Sequence, residues 1–266
     1  MATLSIGKAW EEAVAFVSRE SALLFPVALL FVALPGLILQ EMTPPELMQW
    51  TMSQARDSFP AVPPSYWLAL LLTLIIIWFG SLTLFALALR PGISVGEAMR
   101  LGMARLPVLL GTALLVGAAF LALMVFVALV AAALMIASKA AAAAIGTLLV
   151  AVVVGSLLYA SVRLLLLNPV VIDGQDGVVA SLRRSWETTK GHFWRLLGFI
   201  LIVMLLSMIA STAAQAVFGL IGGMAGGPTA ARLVGGIAAA AVSTVVQVYM
   251  LVMIARLYRQ ADSARA

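Results

Sequence analysis

Six long apolar runs occupy most of the chain, and its basic residues gather on alternate connections between them. This alternation constrains the fold more than any other feature. A helix needs roughly 20 apolar residues to cross the hydrocarbon core of a bilayer. The runs cover Ser21 to Leu39, Tyr66 to Leu89, Pro107 to Ala137, Ala140 to Leu167, Trp194 to Ile221 and Thr229 to Leu257. Each is read as a transmembrane helix, with a break at Ser138-Lys139 making a tight hairpin of the third and fourth. The stretch Gly222 to Pro228 is read as the turn between the last two.

Of the 16 Lys and Arg residues, two lie before the first run (Lys8, Arg19) and three at or beyond the end of the last (Arg256, Arg259, Arg265). Three more follow the second run (Arg90, Arg100, Arg105), and five occupy the fourth-to-fifth connection (Arg163, Arg183, Arg184, Lys190, Arg195). The opposite connections hold only Arg56, Lys139 and Arg232. Basic connections stay cytoplasmic, so both termini are expected inside, in a bacterial inner membrane, with an even number of spans.

Composition agrees. The chain is 64% hydrophobic and 10% charged, with mean hydropathy +1.13, whereas soluble domains carry about 25% charged residues. So few charges could not cover a soluble surface. The net charge of +5 follows the membrane flanks, which argues against nucleic acid as a partner. The absence of Cys excludes thiolate chemistry and disulfides, and the one histidine, His192, builds no multi-histidine metal site. No cofactor is expected. Residues 1–20 mix acids and bases with apolar positions, unlike a cleavable signal, so the first run is expected to remain as an anchor. Trp10, Trp50, Trp67, Trp186 and Trp194 lie near the expected interfaces; Trp78 falls mid-run, where packing explains it.

A repeat is visible. Ser5-Ile6-Gly7-Lys8-Ala9-Trp10 matches Ser94-Val95-Gly96-Glu97-Ala98-Met99, and Asp176 to Ser181 is a looser third copy. Helical spacing puts Ile6, Trp10, Ala13 or Val14, and Val17 on one face. The corresponding faces are Val95, Met99, Met103 and Leu106, then Val178 or Val179, Leu182 and Trp186. Ser94 and Glu97 form a capping-box pattern. The expected architecture is all-α: one integral membrane domain over residues 1–266, with three units (1–89, 90–167, 168–257). Each unit is an amphipathic interfacial helix, its apolar face toward the membrane, followed by a helical hairpin. In the connection between the first and second runs, Thr43-Pro44-Pro45-Glu46 reads as another helix start, with Thr43 as N-cap.

Candidate chemistry is sparse. All eleven acids fall outside the runs, whereas ion-coupled transporters usually carry an intramembrane carboxylate. Gln215 and Gln247 are the polar residues inside runs, with Asn168 near a boundary, and interhelical hydrogen bonding explains them. The densest polar stretch is Ser181 to Arg195. There Arg183, Arg184, Lys190, His192 and Arg195 could surround a phospholipid head group, Arg through its planar fork of donors, or could simply anchor topology. His192 lacks the positioned partner and nucleophile that a general base requires.

Three segments of that region, Asn168 to Asp173, Ala180 to Trp186 and Thr189 to Gly198, resemble the membrane domain associated with bacterial glycerophosphodiester phosphodiesterases. They also resemble the YciC-like inner-membrane proteins. The likeness implies the six-span layout. Phosphodiesterase members carry a soluble domain with metal-binding carboxylates and catalytic histidines, and no residue here corresponds to those, so the activity does not transfer. The expectation is a non-enzymatic membrane protein that binds or organises phospholipid, or a membrane partner, at its cytoplasmic face. A small-solute or ion transporter or channel is the alternative.

Overall fold

The computed structural model describes residues 5–52, 60–137 and 139–263. Arg56, Asp57, Ser138 and Arg265 lie outside them. Among the described residues the chain is helical throughout: α1 (Ile6–Ala28), α2 (Leu34–Met42), α3 (Pro45–Met52), α4 (Pro64–Leu89), α5 (Val95–Ala137), α6 (Lys139–Arg163), α7 (Leu167–Asp173), α8 (Val178–Thr188) and α9 (Phe193–Ser263). Five stretches are long and apolar enough to cross a membrane: 6–42, 64–89, 95–136, 145–173 and 193–263.

Several interruptions have chemical causes. Pro35 has no N–H for the Phe31 carbonyl, and just before it the helix widens into a π turn, Leu29–Ala33, where the Leu34 N–H reaches back to the Leu29 carbonyl. Glu20 departs from helical angles (φ −106°, ψ 15°), close to where the first apolar run begins. The fourth run does not continue straight to Leu167, as expected; α6 ends at Arg163. Pro169 cannot donate to the Leu165 carbonyl, and the Leu165 and Leu167 N–H groups turn back to Val162 and Leu164. Thr43 also departs from expectation. Its hydroxyl donates to the Leu39 carbonyl and closes α2 instead of capping α3.

α9 is two helices. Gly226 and Gly227 alone are non-helical inside it, so the turn is narrower than the glycine-rich stretch suggests. Gly227 has φ +73°, a conformation that side chains resist. Beyond it the arms run antiparallel in close contact. A Cβ on Gly235 would lie 2.8 Å from the Gln215 carbonyl oxygen, and one on Gly222 would lie 2.6 Å from that of Ala230.

The core lies at one end of the bundle. There the last turns of α4, Leu82 to Leu89, are buried against α1, α7 and the end of α9. Ser5 and Gln260 hydrogen-bond at 3.0 Å, so the two ends of the described chain meet at this same pole. Arg259 donates to the Leu89 carbonyl, one of the acceptors left over where α4 ends. Farther along, α5, α6 and α9 expose row upon row of large apolar residues, among them Leu121, Leu148 and Ile202.

The capping box is present: the Ser94 N–H donates to Glu97 Oε2 at 2.8 Å, and the Glu97 N–H donates to Ser94 Oγ at 3.2 Å. Small residues point inward at the same offsets from each start. Ala9 and Ala13 follow Ser5, Ala98 and Gly102 follow Ser94, and Ser181 and Ser185 follow Gly177; all six are buried. Trp10, Met103, Val179 and Trp186, expected on the faces toward the membrane or as their alternatives, are exposed. Small residues let these helices approach the bundle closely, which larger ones would prevent.

Candidate functional site

The basic stretch folds as α8 and the turn into α9. Ser185 and Thr189 hydroxyls donate to the Arg163 carbonyl at 3.1 and 3.2 Å, an acceptor that α6 leaves unused at its end. These bonds set α8 across the end of α6. Arg163 then packs against Tyr159 and Trp186, its guanidinium carbon 5.0 and 5.3 Å from their ring centres. Its Nη2 bonds the Tyr159 hydroxyl at 2.8 Å, while its buried Nη1 has no hydrogen-bond partner.

The five residues singled out in the sequence part company here. Arg184 turns inward. Its Nη2 donates to the Tyr258 hydroxyl at 3.0 Å and to Asp262 Oδ1 at 3.2 Å, and its Nη1 lies 3.5 Å from Asp176 Oδ2. Tyr258, fully buried, donates onward to Asp173 Oδ2 at 2.8 Å. Burial lowers the Arg184 pKa, but Tyr258, Asp262 and Asp176 outweigh it and raise the pKa above its ordinary value. This arginine clamps α8 and the α7–α8 connection to the end of α9. Its charge is already matched within the chain.

Arg183 points outward and pairs with Glu187 at 2.9 Å, both being exposed. Such a pair contributes only about 0–1 kcal/mol, so it yields easily to another anion. Lys190 is exposed on the turn after α8, and Arg195 is exposed in the first turn of α9. On a helical surface Arg183 neighbours Trp186 and Glu187, and Lys190 continues the stripe one turn on. His192 sits in the turn, its N–H bonded to the Thr189 carbonyl. Its Nδ1 is buried without a hydrogen-bond partner.

Beneath this stripe lies an apolar groove that the sequence did not reveal. It has a volume of about 310 Å³ and is lined by Leu115, Val116, Ala119 and Phe120 of α5, Ala160 of α6, Leu164, and Leu182 and Trp186 of α8. Chemically the arrangement is a hydrocarbon slot with the Arg163 guanidinium against its Trp186 wall. Its only sequence signal is the set of large exposed residues on α8, which becomes meaningful once Ser181 and Ser185 are known to face in.

Gln215 and Gln247, read as bonds between helices, instead border a second cavity between α2 and the arms of α9. Asn168 lines a third, apolar one with Trp78.

The family described as "Domain of unknown function (DUF7847)" matches residues 4–261, and the chain belongs to it. No curated protein and no solved structure matches the chain.

Proposed function

We propose that this DUF7847 member is a six-span protein of the bacterial inner membrane that holds anionic phospholipid at the cytoplasmic end of its bundle and catalyses no reaction. The observation that carries the reading is the apolar groove capped by α8. Its hydrocarbon lining suits an acyl chain, and Arg163 against the lining Trp186, with Arg183 and Lys190 exposed on the same stripe as Trp186, suit a phosphate. Each such cation near an anionic surface contributes about 1 kcal/mol.

Six spans follow from counting the α9 arms separately, since both are long enough to cross. The Ser5–Gln260 bond supports an even count, because it holds both chain ends at one pole. The concentration of Lys and Arg there supports a cytoplasmic assignment. The equal offsets of Ala9/Ala13, Ala98/Gly102 and Ser181/Ser185 support three repeated units. The likeness of residues 168–198 to the membrane domain of glycerophosphodiester phosphodiesterases, and to YciC-like proteins, belongs to the same proposal, without the enzymatic activity.

Native mass spectrometry of the purified protein tests the lipid reading. Wild type is expected to retain phosphatidylglycerol, and the Arg183→Gln/Lys190→Gln variant to retain roughly tenfold less at unchanged stability. Equal retention by both would remove the head-group role. A second reading, a channel or transporter for small solutes, is favoured by the polar cavity at Gln215 and Gln247; solute flux in proteoliposomes tests it.

A further inference from the structure

Midway along the arms of α9, away from the basic end, lies a cavity of about 400 Å³. Gln40 contributes from α2, Ser211 and Gln215 from the first arm, and Ser243, Thr244 and Gln247 from the second. All six side chains are polar and none is charged. The π turn forms part of the wall through Val32 and Ala33, and such turns often occur at functional sites. Gly36 and Gly236 complete the lining, and a Cβ on either would meet open space.

The polar groups are poorly supplied with partners. Ser211 Oγ is buried and bonds nothing. Among the described residues the amides of Gln40, Gln215 and Gln247 bond no protein group, although each offers two donors and an acceptor. Only Thr244 is satisfied locally, through the Ala240 carbonyl at 2.7 Å. In apolar surroundings each unmet amide costs several kcal/mol. Gln40 and Gln215 are exposed and Gln247 half-buried along this cavity, so where lipid surrounds the arms an occupant that supplies both donors and acceptors would satisfy them together with the buried Ser211 hydroxyl. With no charge in the lining, the site suits an uncharged ligand better than an ionic one.

We infer that this cavity binds a small uncharged molecule rich in hydroxyl and carbonyl groups. A neutral glycerolipid entering sideways from the bilayer and a free polyol share that chemistry. The inference goes beyond the phospholipid reading and uses none of its residues.

Two probes distinguish the sources: radiolabelled dioctanoylglycerol and radiolabelled glycerol, each measured by equilibrium binding to the purified full chain. Two variants accompany wild type. Gln215→Leu/Gln247→Leu removes the amides at similar volume, and Gly36→Leu/Gly236→Leu fills the void from positions where the structure leaves room. Thermal unfolding of each verifies folding. Saturable binding of dioctanoylglycerol by wild type, weakened at least tenfold in a folded variant, supports a lipid occupant. The same pattern with glycerol supports a free solute. Binding of neither probe by wild type, or equal binding by wild type and both folded variants, overturns the inference.

Discussion

The two ends of this bundle are built on different terms. At the basic end, α1, α4, α7, α8 and the last turns of α9 bury one another, and Phe85, Leu166, Ile172 and Leu257 are almost wholly enclosed. At the other, the second halves of α5 and both arms of α9 stand with their leucines and methionines outward. The difference teaches where each part finds its partners. The packed end is determined by contacts within the chain, including the Arg184–Tyr258–Asp173 relay. The splayed end is apolar enough to leave that role to lipid, and six of its polar residues line one cavity.

Substitutions should separate the two regions. The largest effect is expected from Phe85→Ala in the packed end, a loss of about 3–5 kcal/mol; thermal unfolding in detergent measures it. Gly235→Leu attacks the splayed end at a tight contact between the arms, since its Cβ would meet the Gln215 carbonyl. Overpacking of this kind costs about 1–3 kcal/mol, read in the same assay, and cysteine crosslinking between the arms would report their separation. Arg184→Gln breaks the clamp at the packed end. It should cost about 1–2 kcal/mol, less than a fully buried charge because the side chain is 31% exposed. Leu121→Ala, 65% exposed on α5, should change stability by no more than about 0.5 kcal/mol. A loss there as large as that at Phe85 would end the contrast.

Local chemistry made part of this legible. Apolar run lengths located the long helices, the Ser94–Glu97 box located the start of α5, and the glycines before Pro228 located a turn. Each depends on neighbours within a few residues. What escaped depends on distance in sequence. Arg183 and Arg184 look alike until Asp262, 78 residues on, takes one of them. The inward face of α8 was missed because Ser181 and Ser185 carry little hydrophobic signal, although their spacing matches Ala9/Ala13 and Ala98/Gly102. The end of α6 was readable in principle from Pro169, whose missing N–H acts four residues upstream. The glutamine cavity depends on the register between the two arms, which no single segment encodes.

The groove under α8 is where the two regions meet, and a photoreactive phospholipid tests it most directly. Phosphatidylglycerol with a diazirine on one acyl chain would be crosslinked to the protein in nanodiscs and the modified peptides mapped. Crosslinks are expected to concentrate at Leu115 to Phe120 and Ala160 to Leu164, and to fall in the Arg183→Gln/Lys190→Gln variant. An even spread over the exposed faces of α5, α6 and α9, unchanged in that variant, would contradict a lipid site and leave the basic end as a topology anchor alone.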